Sequence, residues 1–308
     1  MKYDMQAGFG ISRMTLGTAQ FGMDYGIANR EGRPDEEKAF SIIDAALEND
    51  INCLDTAAAY GDSERIIGRY FRSGERKREE ITIVTKLRLG QIKVAETEEV
   101  IMKSVEQSIN NLGADHIDIL LLHNAKEYQI YGSEITRAFE KLLAEGLVKG
   151  TGASCYDFSE IENILENDIF QAFQIPVNLL NSGINKPETL NSLRNRQIFA
   201  RSVFLQGLFF MDPLQLKGNL KEAGIYISRI RDIASDLNVA VSELAIRYVS
   251  SLNNIDSIVI GADNPVQVLE NLKFLRSGPF PREVIKFISG RLKGAPDFLS
   301  KPYLWDKQ

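Results

Sequence analysis

Eight short apolar runs punctuate the chain, and segments with apolar residues at helical spacing lie between them. The runs are 14–20 (MTLGTAQ), 52–57 (NCLDTA), 81–86 (ITIVTK), 117–123 (IDILLLH), 149–155 (KGTGASC), 170–178 (FQAFQIPVN), 197–204 (QIFARSVF) and 257–262 (SIVIGA). Their length and β-branched content read as strands. The stretch ILLL is apolar at successive positions, which suits a parallel sheet covered on both faces. Between the runs, Ala39, Ile42, Ile43, Ala46 and Leu47 recur at helical spacing. So do Val100, Ile101, Val105, Ile109 and Leu112, and again Ile135, Ala138, Phe139, Leu142 and Leu143. Each set predicts a helix that buries one stripe. Pro34 followed by Asp35, Glu36 and Glu37 reads as a first helical turn, with carboxylates at the positive end of the helix. Gly113 and Gly146 stand where a helix ends in a left-handed residue.

Strands that alternate with helices pair in parallel through crossover connections. Eight such units predict an α/β fold of the (β/α)8 TIM-barrel type, with a doubly wound open sheet as the alternative. Residues 282–293 predict an extra C-terminal helix, followed by an irregular tail over 295–308. No linker or low-complexity stretch divides the chain, so residues 1–308 read as a single domain. The longest interval between strands, 205–256, predicts a loop insertion around 212–224.

Composition narrows the partners. The chain has 308 residues, is 44% hydrophobic and 25% charged, and carries a formal net charge of −6. That length accommodates an α/β barrel of about 250 residues as one unit. An acidic chain without a Lys/Arg block lacks the electrostatic footprint for nucleic acid, and its sign disfavours an anionic membrane surface. No apolar run approaches the ~20 residues of a membrane helix. The opening MKYDMQAGFG has no apolar signal core, so a cytoplasmic location is expected. Two cysteines, Cys53 and Cys155, do not make a disulfide scaffold.

Candidate chemistry lies at the ends of the runs. Asp55, Lys86, His123, Ser154, Gln174 with Asn178, and Arg201 with Ser202 sit at or near successive strand C-termini. In a closed barrel these ends share one rim, where active sites of this fold are built. Each residue has an ordinary structural reading: an Asp caps a turn, a Lys snorkels to water, a His satisfies itself at a rim, a Tyr packs. Together with Tyr60 they suggest more. A phenol has a pKa of about 10 and is a weak acid at neutral pH, but a neighbouring ammonium favours its anion. A carboxylate can hold that ammonium, and an imidazole can bond a substrate oxygen. The set suits general acid catalysis at a carbonyl. It cannot itself supply hydride, so a cofactor must.

At NCLDTAAAYG (52–61), IVTK (83–86) and LLLHN (120–124) the chain resembles the aldo-keto reductase superfamily. Further similarity covers LGTAQFG (16–22), YGDSERIIG (60–68), GTGAS (150–154) and GADNPVQVLENL (261–272), and thus nearly the whole chain. The resemblance implies an NAD(P)H-dependent enzyme that reduces an aldehyde or ketone, sugar-like ones included, or oxidises the alcohol. Tyr60 would donate the proton, Lys86 would lower its pKa, Asp55 would pair with Lys86, and His123 would orient the carbonyl. Ser154 and Gln174 would bond the nicotinamide carboxamide. Thr18, Asp55, Arg201, Ser202, Gly207 and Gly261 would face the cofactor, with Gln267, Glu270 and Asn271 near its adenosine. NADP(H) stands slightly ahead of NAD(H) by family habit.

Independently of the family, Asn264-Pro265 reads as an N-cap and first turn of a helix just after the last strand. Gly261 there would let an anion approach. No GxGxxG is present, so no Rossmann cofactor domain is indicated. The chain departs from the family in places. Cys155 follows Ser154 where an Asn is usual, and Arg201 stands where an aromatic ring commonly stacks on nicotinamide; its guanidinium could stack there too or bind an anionic substrate group. Residues 261–271 contain no Lys or Arg but do contain Asp263; Lys273 and Arg276 follow at helical spacing. The loops 124–133 and 212–224 and the tail, with Phe298, Tyr303 and Trp305, are the expected pocket-shaping segments. The rival reading is a cofactor-binding regulatory barrel with little turnover, since potassium-channel β subunits share the fold. A metal-dependent hydrolase is disfavoured, because the only histidines are His116 and His123 and no HExxH occurs.

Overall fold

The computed structural model describes residues 9–30, 32–74, 77–181, 193 and 195–306. Eight strands form in chain order: β1 Met14–Gly17, β2 Cys53–Asp55, β3 Thr82–Leu87, β4 Ile117–Leu122, β5 Val148–Ser154, β6 Ala172–Pro176, β7 Gln197–Arg201 and β8 Ser257–Gly261. Each pairs in parallel with the next, and β8 pairs back onto β1 through Met14↔Ile258 to Gly17↔Gly261. The sheet is therefore a closed (β/α)8 barrel, and the open doubly wound alternative falls away.

Side-chain alternation along the strands makes two apolar layers. Inside the barrel Ile11, Cys53, Val84, Ile119, Leu121, Ala172 and Phe199 pack together. Their strand neighbours Leu54, Ile83, Leu120 and Phe173 join the layer between strands and helices. This explains the unbroken apolar runs, because both faces of every strand are covered.

The helical punctuation is mostly as the sequence predicts. Gly113 ends the helix Thr97–Leu112 at φ 61°, and Gly146 follows the helix Tyr128–Ala144 at φ 70°. Pro34 differs. The helix Glu36–Leu47 is capped by Asp35, whose carboxylate accepts from the Lys38 N–H at 2.8 Å, so Pro34 precedes the cap and lies outside the first turn. An Asp competes well for the cap because it satisfies an otherwise orphaned donor. The segment 124–133 is also more ordered than a loop: a short turn at Ala125–Glu127 runs directly into the helix Tyr128–Ala144.

After β7 the chain makes tight turns at Leu205–Phe210, Pro213–Gln215 and Gly218–Glu222 before the helices Ala223–Asp236 and Val241–Ser250. Leu205, Gln206 and Gly207 are consecutively left-handed, at φ 47°, 54° and 89°. The extra helix spans Arg282–Arg291, and the tail returns through turns at Asp297–Ser300 and Pro302–Leu304. It is clasped to the 205–222 segment. The Asn219 N–H donates to Asp306 Oδ2 at 2.8 Å, and Asn219 Nδ2 donates to the Leu304 carbonyl at 2.8 Å. Among the described residues no helix is long and apolar enough to cross a membrane.

Closure depends on backbone contact at Gly152 of β5, which is paired with Ala172 of β6. A Cβ there would lie 1.9 Å from the Ala172 carbonyl oxygen, an atom of the neighbouring strand that cannot swing aside. Gly152→Ala is expected to destabilise the protein by about 2–3 kcal/mol or more through overpacking, read as a lower urea midpoint. A midpoint equal to that of the unaltered protein would show that the β5–β6 spacing is not limiting.

Candidate active site

Asp55 ends β2, and Lys86 lies on β3 one strand over. Lys86 Nζ donates to Asp55 Oδ1 at 2.7 Å and to the Thr56 carbonyl at 2.8 Å. From across the barrel Gln174 Nε2, on β6, donates to the same Asp55 oxygen at 2.7 Å. Lys86 is 1% exposed and Asp55 4%. Burial lowers the Lys86 pKa, and the adjacent Asp55 charge opposes that shift.

Tyr60 stands on the connection from β2 to the helix Ser63–Arg72. Its ring centroid is 5.1 Å from Lys86 Nζ. Its ring meets His123 edge-on, with centroids 5.6 Å apart. His123 follows β4, fixed by its backbone N–H donating to the Leu87 carbonyl at 2.8 Å. The connection that carries Tyr60 is tied to the strand ends by hydroxyls. Thr18 Oγ1 donates to the Asp55 carbonyl at 2.9 Å and lies 2.8 Å from Ser63 Oγ, and Thr56 Oγ1 donates to Ser63 Oγ at 3.0 Å. These residues, spread in sequence from Thr18 to Gln174, thus meet at one barrel mouth.

A cavity of about 640 Å³ opens at that mouth, well within the size range of small-molecule sites. Asp55, Tyr60 and His123 line it, as do Thr18, Ser154, Gln174, Arg201, Ser202, Gly207, Gly261, Gln267, Glu270 and Asn271. Lys86 stands behind the wall, reaching the cavity through Asp55 and Tyr60. Asn264 caps the helix Pro265–Arg276 by accepting from the Gln267 N–H at 3.0 Å. Lys273 and Arg276 do not line the cavity.

Several expected contacts are differently engaged. The Thr18 hydroxyl is fully buried in the network just described, so only the rest of the residue faces the cavity. The Gln174 side-chain nitrogen donates to Asp55, which turns the amide so that its carbonyl oxygen is left for a ligand. The close neighbour of Gly261 is protein: a Cβ there would lie 2.7 Å from Gln20 Oε1, and Gln20 Nε2 bonds the Ala262 carbonyl at 2.7 Å. Cys155 is buried, and its carbonyl oxygen accepts from Arg201. Sequence reasoning did not find Gln20, Tyr25, Tyr156 and Phe210, which also line the cavity. Tyr156 directly follows the run 149–155, so extending the search one residue beyond each run would have caught it.

The site favours neutral forms of its phenol and imidazole. Burial pushes the Tyr60 pKa up, Asp55 adds to this, and the Arg201 charge opposes it; the lowering by Lys86 expected from sequence is not among these causes. The His123 pKa falls from 6.5 to about 3, chiefly through burial, with Lys86, Arg201 and Arg88 acting in the same direction. His123 Nδ1 is buried and has no partner among the described residues.

Comparison with known proteins bears on what such a site does. The model of the Aldo/keto reductase family matches residues 13–291. The "Uncharacterized oxidoreductase YqkF" of Bacillus subtilis is 27% identical over 308 residues, covering 92% of this chain and 97% of that protein. The "6-dehydroglucose reductase" of Agrobacterium fabrum is 32% identical over 153 residues, 45% of this chain and 51% of that protein. The solved structure of aldo-keto reductase AKR11C1 from Bacillus halodurans (holo form) shares the fold, with a TM-score of 0.75 at 24% identity over 92% of this chain and 93% of that one. The chain belongs to the aldo/keto reductase family, and it is an NAD(P)H-dependent oxidoreductase acting on carbonyl compounds.

The neutral imidazole has a measurable consequence. A base whose folded pKa lies below its unfolded value contributes stability above the unfolded pKa, and that stability is lost as pH falls. The unfolding free energy is therefore expected to decline between pH 6.5 and about 3 more steeply than in His123→Gln. Denaturant titrations at several pH values measure both slopes, and parallel slopes would mean that the ring ionises normally in the folded protein.

Proposed function

We propose that the protein is a carbonyl reductase, reversible as an alcohol dehydrogenase, in which Tyr60 is the general acid and Asp55, Lys86 and His123 assist it. The convergence of Tyr60, Lys86 and His123 at one wall of the cavity carries this reading. The substrate is an aldehyde or ketone, sugar-like ones included, a breadth consistent with the partial similarity to 6-dehydroglucose reductase. We take residues 1–308 as a single catalytic unit working in the cytoplasm.

The cavity fits an extended dinucleotide. Its redox end holds Tyr60 and His123, and its wall continues past Gly207 and Gly261 to Gln267, Glu270 and Asn271. Ser154 and the Gln174 carbonyl oxygen are available to hold a carboxamide. Bound there, the nicotinamide supplies the hydride. The residues do the rest. Tyr60, kept protonated by burial and Asp55, gives its proton to the carbonyl oxygen as charge develops on it. The Lys86 ammonium, anchored by Asp55 and 5.1 Å from the ring, stabilises the phenolate left behind. His123, neutral, can donate one N–H to the same oxygen and orient it without adding charge.

The dinucleotide preference for NADP(H) over NAD(H) is small in this reading. A 2′-phosphate at the far end of the cavity would meet Asp263 and Glu270. Among the described lining residues the one basic side chain, Arg201, stands at the catalytic end. The two dissociation constants are expected to lie within about tenfold, or 1.4 kcal/mol, by fluorescence titration with NADPH and NADH. A hundredfold preference either way would overturn that expectation.

Tyr60→Phe is expected to lower carbonyl reduction by about 10²- to 10⁴-fold while cofactor affinity stays within a few-fold. Turnover near that of the unaltered protein would remove the proton-donor assignment. The rival reading, a cofactor-binding regulatory barrel, requires that the unaltered protein bind NADPH yet fail to oxidise it in a single turnover with a reactive aldehyde.

A further inference from the structure

We propose that the carbonyl substrate bears an anionic group, a carboxylate or a phosphate, held by Arg201. This rests on the reading of Tyr60 and His123 as the carbonyl end of the cavity.

Arg201 is the last residue of β7 and lines the cavity. Its guanidinium is held by neutral groups on several sides. One terminal nitrogen donates to Ser202 Oγ at 3.2 Å, the other to the Cys155 carbonyl at 3.2 Å. The guanidinium carbon lies 4.5 Å from the Tyr156 ring centroid, and Tyr156 is itself backed edge-on by Tyr303 of the tail at 4.7 Å. Among the described residues no carboxylate forms an ion pair with it, and its Nε–H is buried without an acceptor. The side chain is thus fixed in place, positively charged and incompletely satisfied.

The surrounding charges do not cancel it. Lys86 and Asp55 neutralise one another at 2.7 Å. Tyr60 stays protonated, and His123 stays neutral beside three cations, Lys86, Arg201 and Arg88. The carboxylates on the far side of Cys155, Glu160 and Asp157, face Lys126 at 3.6 Å and Lys301 at 3.8 Å, so neither is an ion-pair partner of Arg201. Leaving a guanidinium partly desolvated without a counter-charge is costly, and an incoming anion relieves that cost. The planar fork of N–H donors matches a carboxylate or phosphate edge.

The group bound is a substrate's rather than the cofactor's because of where Arg201 stands. It is near enough to Tyr60 and His123 to act on the ionisation of both. A dinucleotide whose nicotinamide meets Tyr60 must hold its diphosphate a riboside's length away.

Matched probes test this without a variant. Steady-state reduction is measured for succinic semialdehyde against butanal, 4-carboxybenzaldehyde against benzaldehyde, and glyceraldehyde 3-phosphate against glyceraldehyde. A charged hydrogen-bonded contact predicts kcat/KM about 10- to 100-fold higher for the anionic member of at least one pair. The difference should reside mainly in KM and shrink with added salt. The first two pairs report a carboxylate and the third a phosphate. In Arg201→Gln the anionic-to-neutral ratio should fall towards one, and in Arg201→Lys to an intermediate value. Turnover of neutral aldehydes without any anionic preference overturns the proposal and leaves the reductase reading standing. So does a variant whose whole defect is weaker NADPH binding, with the ratio kept. No turnover of any aldehyde overturns the reductase reading and this proposal together.

Discussion

A single carboxylate oxygen organises the barrel mouth. Asp55 Oδ1 accepts at 2.7 Å from Lys86 on the adjacent strand and at 2.7 Å from Gln174 on the far side of the barrel. Three strands, β2, β3 and β6, are thereby referenced to one atom. Such a buried pair is a poor source of net stability, since desolvation offsets most of its attraction. What it supplies is position. An ammonium that has lost its water is held rigidly under the Tyr60 ring, and neither partner can leave without stranding the other's charge.

Around that fixed point the cavity is electrostatically uneven. Arg201, near Tyr60 and His123, has no carboxylate ion-pair partner among the described residues, while Asp263 and Glu270 also line the cavity. The walls come from segments unrelated in sequence. The left-handed turn at Leu205–Gly207 shapes one side, with Gly207 packed where any Cβ would meet Ala28 at 2.6 Å. The returning tail backs Tyr156 through Tyr303 and is itself clasped through Asp306 and Asn219. The cavity is therefore walled in part by segments remote in sequence from Asp55 and Lys86.

Much of this was legible in the amino-acid sequence, for a physical reason. A parallel barrel covers both faces of each strand, so its strands appear as apolar runs and stop where the rim begins. Polar residues at those stops, Asp55, Lys86, His123, Ser154, Gln174 and Arg201, had few other places to go. Side-chain engagement was not legible. Nothing local to Thr18 says that its hydroxyl is spent on the Asp55 carbonyl and Ser63, nor that Gln174 turns its amide nitrogen to Asp55. Gly261 looked open to an anion because the approaching group, Gln20, is distant along the chain. Tyr25 and Tyr156 sit beyond the strand ends, where backbone path depends on tertiary contacts rather than on periodicity. Pro34 misled by two positions because the Asp35 carboxylate is the stronger cap.

The closing seam joins the first strand of the barrel, Met14–Gly17, to the last, Ser257–Gly261. On a ribosome the first strand emerges long before its partner exists. Until β8 arrives, the nascent sheet has two unpaired edges, the feature that invites wrong association between chains. The architecture that gathers distant residues at one mouth thus leaves the growing sheet with open edges until its eighth strand is made.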